Sequence, residues 1–253
     1  MLKVTTEEGV RVLTLARPDR LNALEPGLLR GLRKALGEAA REEGVRAVLL
    51  TGEGRAFSAG QDLEAVPADR DYLRVLDDYI PVIEALFALE KPTVAAVNGV
   101  AAGAGMSLAL ACDLRVMAEG AFFSPAFVRV GLVPDAGMSY FLPRLVGLAR
   151  ALDWCYRSPR IGPEEALTAG LVSAVFPQEG FFASALAFAK ELGRGPTRAY
   201  ALTKRALWRN LEADLADALA YEAESQAAAG ATEDHAEGLR AFLEKRPPGF
   251  RGR

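Results

Sequence analysis

The chain has 253 residues, 51% of them hydrophobic and 25% charged, with a formal net charge of −3. This is globular composition with enough chain to bury a sizeable core, and the slightly negative balance argues against a dedicated nucleic-acid binder. No apolar run is long enough to span a bilayer, MLKVTTEEGV is no signal peptide, and Cys112 and Cys155 lie far apart in apolar surroundings. The expectation is a cytoplasmic protein with reduced cysteines and neither a nucleic-acid nor a membrane partner.

In chain order, residues 2–6 and 10–16 are predicted strands joined at Glu8-Gly9, the second with alternating side chains. Arg17-Pro18-Asp19-Arg20 is a turn, because proline lacks a donor and fixes φ. Pro26 opens a predicted helix in which Leu28, Leu29, Leu32, Ala35, Leu36 and Ala39 share one face. Residues 45–51 form a short apolar strand, followed by a glycine-rich loop and then AFSAGQDL. Residues 69–89 are helical, with Leu73, Leu76, Ile80, Ile83, Leu86 and Phe87 at helical spacing; Pro81 must kink this helix or begin a new segment.

The chain is organised around residues 97–113, VNGVAAGAGMSLALACD, where a strand, a glycine-bearing turn and a helix start follow one another. The first N–H groups of a helix have no partner inside it. Gly103, Ala104 and Gly105 leave such donors open to an approaching oxygen, or simply let the helix pack tightly on a neighbour. The stretch Ser58-Ala59-Gly60-Gln61 offers a second set of backbone donors at a strand end, and Asp62 can accept bonds that shape that turn. Two donors from separate loops meeting on one oxygen form an oxyanion hole.

Residues 114–118 and 121–123 are two more short strands, and the alternation of strands with helices favours an α/β fold. Asp135 then stands among Leu132, Val133, Met138 and Phe141. It either caps the helix that follows or faces an apolar pocket, where desolvation would raise its basicity. From residue 148 the pattern is mostly helical (149–157, 163–169, 181–192, 196–212, 215–229), interrupted by a strand at 171–176. Thr232 reads as the N-cap of a final helix, and the basic ending EKRPPGFRGR as a solvated, partly disordered terminus. The Ala-rich helices have little side chain to fill a core and call for another subunit.

His235, the only histidine, lies among Glu233, Asp234 and Glu237, which argues against a serine-hydrolase triad or a histidine-based zinc site. The glycines at 99 and 103 lack P-loop and dinucleotide spacing. The residues point to an enzyme without a cofactor that polarises a carbonyl with backbone donors and moves protons with one carboxylate.

RPDRLNAL, GRAFSAGQDL, KPTVAAVNGVAAGAG, LALACDLRV, GLVPDAG and EALTAGLV occur in this order over nearly the whole chain. Together they resemble the enoyl-CoA hydratase/isomerase (crotonase) superfamily. The resemblance implies a spiral of ββα units over residues 1–190 and a C-terminal helical oligomerisation region over 191–253, assembled as a homotrimer or homohexamer. It implies an acyl-CoA thioester substrate, with coenzyme A entering as part of the substrate and neither a separate cofactor nor a metal. The oxyanion donors would be the backbone N–H groups of Gln61 and Ala104, next to Gly103. Arg20, Ala23, Leu24, Ala59, Gly60, Asp62 and Leu63 would cradle coenzyme A, and Lys245 or Arg246 would reach the coenzyme A of a neighbouring subunit.

The chain departs from the hydratase pattern by carrying Ser107 and Phe127 where hydratases have two glutamates, so simple hydration is not expected. Asp135 stands where some isomerases and the 4-chlorobenzoyl-CoA dehalogenase place their working carboxylate. Met106, Phe127, Pro134, Met138 and Tyr140 would line a dry acyl pocket. GLVPDAG, FLPR and the chain's ending most resemble the ring 1,2-epoxyphenylacetyl-CoA isomerases of phenylacetate degradation. The alternatives are a Δ3,Δ2-enoyl-CoA isomerase using the same aspartate, a dehalogenase with Asp135 as nucleophile, and an RNA-binding family member, the last disfavoured by the lack of a basic stripe.

Overall fold

The computed structural model describes residues 1–69 and 71–253. It opens with an antiparallel hairpin of β1 (Leu2–Glu7) and β2 (Val10–Leu15). Glu8 and Gly9 between them both take positive φ, as the twist of a two-residue hairpin turn favours. Helix α1 (Pro26–Arg41) starts on a proline, and the Glu25 carboxylate accepts from the N–H groups of Gly27 and Leu28. Its buried face is Leu28, Leu29, Leu32, Ala35, Leu36 and Ala39, as the spacing predicted.

The chain then repeats one plan of two strands and a helical segment. The elements are β3 (Ala47–Gly52), β4 (Ala56–Ser58), α2 (Tyr72–Ala88), β5 (Thr93–Val97), β6 (Val100–Ala102), α3 (Ala104–Leu110), β7 (Leu114–Ala118) and β8 (Phe122–Ser124). Next come α4 (Met138–Val146), α5 (Leu148–Arg157), α6 (Pro163–Thr168), β9 (Ala174–Phe176), α7 (Phe181–Gly193), α8 (Thr197–Asn210), α9 (Leu215–Gly230) and α10 (Glu233–Leu243). Among the described residues the strands form two sheets, one ordered β1-β2-β3-β5-β7-β9 and the other β4-β6-β8. The first strand of each pair goes to the large sheet and the second to the small one. Among the described residues the named strands after the hairpin all pair parallel with one another, so the chain winds as the expected spiral of ββα units.

Burial follows from this topology. Parallel strands covered on both faces read as continuous apolar runs, and β3 and β5 are buried at every position. The alternation expected in β2 gives way for the same reason: lying between β1 and β3, it buries Val10, Arg11, Val12, Leu13 and Leu15. Helix α3 is buried along its whole length and touches β4, β5 and β6. Its Gly105 is required by packing, since a Cβ there would stand 2.4 Å from the Ser58 carbonyl oxygen.

Two expectations are corrected. Helix α2 runs through Pro81 as one helix rather than two segments; of its predicted stripe Leu86 is buried and Leu76, Ile83 and Phe87 pack against the core, while Leu73 and Ile80 are exposed. Tyr79 and Val82 join the buried face, where the tyrosine's hydroxyl finds a partner. The predicted helical region, 69–89, includes Arg70, which lies outside the described residues. The C-terminal tail is strapped to α10: the Asp234 carboxylate accepts the N–H groups of Arg251 and Gly252, and its own N–H donates to the Arg253 carbonyl. Glu237 binds Arg246 and the N–H of Gly249 in the same way.

Helix α7 packs on β2, β3 and β5, and residue 190, the expected end of the spiral core, lies within it. Helix α8 is docked by Trp208, which contacts the rings of Phe87, Tyr140 and Phe141. Lys204 adds bonds to the carbonyls of Leu86 and Leu89 and an ion pair to Asp113. Among the described residues no helix is long and apolar enough to cross a membrane.

Candidate active site

The loop after β4 and the turn before α3 meet backbone to backbone. Gly60 has φ +96°, and a Cβ there would stand 2.6 Å from the Ala102 carbonyl oxygen and 3.3 Å from the Ala104 nitrogen. Only glycine fits. The Gly60 carbonyl accepts from Leu24 N–H at 2.7 Å, and Asp62 N–H donates to the Leu24 carbonyl at 2.8 Å. In such a parallel bridge the intervening N–H of Gln61 points away from the Leu24 segment. The N–H of Ala104 opens α3 and has no acceptor inside the helix, while that of Gly103 is used by Ser124 at 2.9 Å. Among the described residues neither Gln61 N–H nor Ala104 N–H has an acceptor.

Side chains clamp this loop from below. Asp62 accepts from Arg17 Nη2 at 2.8 Å and from the Glu64 N–H at 3.2 Å, so the aspartate shapes the turn as expected. Asn22, fully buried with φ +55°, donates to the carbonyls of Glu53 and Ala56 and accepts from the Arg17 N–H. Ser58 Oγ donates to the Asn22 carbonyl and accepts from the Gly60 N–H at 3.2 Å. Arg17 and Asn22 were missed in the sequence, although an asparagine two residues after a turn is the residue type that tolerates positive φ and bonds nearby backbone.

Asp135 precedes α4, where Ala136 and Gly137 both have positive φ. It does not cap that helix: the N-cap is Gly137, and no side chain accepts there. Its backbone carbonyl is held by Ser107 Oγ at 2.9 Å and by Met138 N–H at 3.0 Å. Ser107 lies one turn after Ala104 in α3, so the aspartate loop is tied to the helix whose first N–H is the second open donor. The carboxylate is half-buried with no hydrogen-bond partner among the described residues, and burial pushes its pKa up to about 6. A desolvated carboxylate with such a pKa can take and return a proton near neutral pH.

Tyr79 was also missed as a site residue. Its hydroxyl donates to Gln61 Oε1 at 2.5 Å, and Gln61 Nε2 donates to the Asp62 carbonyl at 3.0 Å. A tyrosine inside an apolar helical stripe was the available signal, because a buried hydroxyl needs a partner.

The remaining expected residues fall into three groups. Leu24, Met106 and Met138 show no more than a trace of surface and support the site from the core, with Phe127 nearly as buried. Ala59 and Leu63 are exposed, and Arg20 is exposed and paired with Glu64 at 2.8 Å. Ala23, Gly103 and Pro134 are half-buried between these extremes. Tyr140 is engaged with Trp208 and with the Arg144 guanidinium in the cluster that docks α8. In the tail Arg246 is occupied by Glu237 and Glu244 and Arg253 by Glu233, whereas the side chains of Lys245 and Arg251 have no acidic partner among the described residues.

Comparisons with known proteins agree on one family. Residues 5–253 match the family model for enoyl-CoA hydratase/isomerase. The chain is 43% identical over 254 residues to a Rhodobacter capsulatus protein named "Probable enoyl-CoA hydratase", covering 100% of this chain and 98% of the relative. It is 39% identical to the 1,2-epoxyphenylacetyl-CoA isomerase of Escherichia coli, covering 98% of this chain and 97% of the relative. The crystal structure of an enoyl-CoA hydratase from Bacillus anthracis superposes with a TM-score of 0.95 at 33% identity, covering 100% of this chain and 99% of the other.

Proposed function

The chain belongs to the enoyl-CoA hydratase/isomerase family, and from that premise we propose that it is an acyl-CoA isomerase. The reading rests chiefly on one observation: a single desolvated carboxylate, Asp135, tied through Ser107 to the helix that begins with an open N–H. The thioester oxygen accepts bonds from the N–H groups of Gln61 and Ala104, which stabilise it as an enolate oxygen; one such donor is worth about 3 kcal/mol. Asp135 takes a proton from the carbon next to the thioester. For a 3-enoyl-CoA it returns that proton two carbons further along, moving the double bond into conjugation. Coenzyme A enters as part of the substrate and leaves unchanged.

The favoured substrate is 1,2-epoxyphenylacetyl-CoA, rearranged to oxepin-CoA in phenylacetate degradation. This is supported by the relative of that activity and by Phe127, a buried phenyl ring where the resemblance puts a hydratase's glutamate. A fatty-acid Δ3,Δ2-enoyl-CoA isomerase uses the same residues and differs in acyl-pocket shape. Hydration is a second reading, favoured by the name of the Rhodobacter relative. Against it stands the hydroxyl of Ser107, which is spent on the Asp135 carbonyl and cannot activate water as a carboxylate does. The proposal includes assembly as a homotrimer or homohexamer, with exposed apolar residues such as Leu215, Leu219 and Phe242 covered by other subunits.

Asp135→Asn tests the mechanism. Isomerisation should be abolished while the Kd of an unreactive acyl-CoA stays nearly unchanged. Unaltered turnover would remove Asp135 from the chemistry.

A further inference from the structure

One buried polar side chain beside the site has no part in the chemistry proposed above. Tyr79 is 4% exposed, and its hydroxyl reaches Gln61 across 18 residues of chain. Both ends of the Gln61 amide are engaged: Oε1 accepts from Tyr79, and Nε2 donates to the Asp62 carbonyl. The side chain is thereby folded back along its own loop. On either side of the same residue, the Gly60 carbonyl and the Asp62 N–H are bonded to Leu24. A gripped amide together with two gripped flanking peptides leaves the Gln61 peptide plane little freedom to rotate.

We infer that Tyr79 is a positioning residue: by holding the Gln61 amide it fixes the direction in which the Gln61 N–H meets the thioester oxygen. This rests on the oxyanion reading proposed above and deepens it. A phenylalanine would fill the same space but leave the amide oxygen without its donor. Burial, and after it the nearby charges of Asp135, Asp62 and Asp78, raise the phenol's pKa, so it stays a neutral donor throughout the working range. Misdirecting a preorganised donor costs rate rather than binding, because the bond matters most once charge develops on the oxygen.

The test uses Tyr79→Phe, Gln61→Met and the double variant. Two quantities are read: turnover of a 3-enoyl-CoA, and the carbonyl stretching frequency of a bound saturated acyl-CoA. Each single variant should lower kcat about tenfold and leave KM within about twofold, and the double should be no slower than the worse single. Both single variants should lose part of the carbonyl downshift seen in the wild type, a signature that lost packing alone does not move. Multiplying losses in the double variant, or a full downshift in Tyr79→Phe, would overturn the inference. If the wild type polarises the carbonyl but does not turn over the 3-enoyl-CoA, the isomerase reading fails for that substrate, and the frequencies still decide the role of Tyr79. An unshifted carbonyl in the wild type would overturn the oxyanion reading and this inference together.

Discussion

Asp135 is held by its backbone, not by its carboxylate, which leaves the carboxylate without a hydrogen-bond partner among the described residues, as the proposed role of base requires. Its folded pKa of about 6 lies above the ordinary carboxylate value because burial penalises the charge. The folded state therefore binds the proton more tightly than the unfolded one, so this group's contribution to stability falls as pH rises from about 4 to about 6. Asp135→Asn should raise the melting temperature at pH 8 relative to wild type, with the gain vanishing near pH 4. In the wild type, kcat/KM should fall as pH drops below about 6, a limb that a change of substrate leaves in place. A profile flat through that region would mean another group carries the proton. Gly60 is the other decisive residue: at φ +96° an added Cβ meets the Ala102 carbonyl and crowds the Ala104 nitrogen. Gly60→Ala should cut kcat by about 100-fold or more while acyl-CoA binding persists, as kinetics and equilibrium titration would show. Asp135 was visible in the sequence as an acid in apolar company, but that it does not cap the following helix was not, because that depends on the positive φ of Ala136 and Gly137, which puts Gly137 at the N-cap.

Helix α1 was legible residue by residue because its apolar face is packed on one side only, the condition under which helical spacing and burial coincide. Helix α2 was not. Its predicted stripe includes Leu73 and Ile80, both exposed, whereas Tyr79 is buried through a bond to a loop 18 positions earlier that no local pattern reports. The loop after β4 shows the same limit: its glycines and Asp62 were readable, but Asn22 and Arg17 act on it from a distant segment. Asn22→Ala would leave the carbonyls of Glu53 and Ala56 and the N–H of Arg17 without these partners in a buried place. It should cost about 2–4 kcal/mol, read as a lower urea midpoint, and should slow turnover as the Gly60–Gln61 segment loosens. Full stability in that variant would show that water replaces the amide.

At the scale of the molecule, the spiral brings β4 and β6 side by side and so delivers two loops, 44 residues apart at Gly60 and Ala104, to one place. The fold class was legible in the alternation of strands and helices, and the family in the linked motifs. Neither revealed the strapped tail, because the Asp234 and Glu237 contacts join residues to backbone donors beyond the helix. The exposed apolar residues of α9 and α10 make the oligomer the expectation at this scale. Light scattering should give a mass near three or six times 27.0 kDa, and Leu215→Glu with Leu219→Glu should shift it downward. A 27.0 kDa species at micromolar concentration would contradict that assembly. The most direct measurement of all is a coupled assay of wild type and Asp135→Asn on two substrates, a 3-enoyl-CoA and enzymatically generated 1,2-epoxyphenylacetyl-CoA. The proposed mechanism predicts epoxide isomerisation in the wild type and its loss in the variant. Crotonyl-CoA hydration in the wild type, with both isomerisations absent, would contradict it.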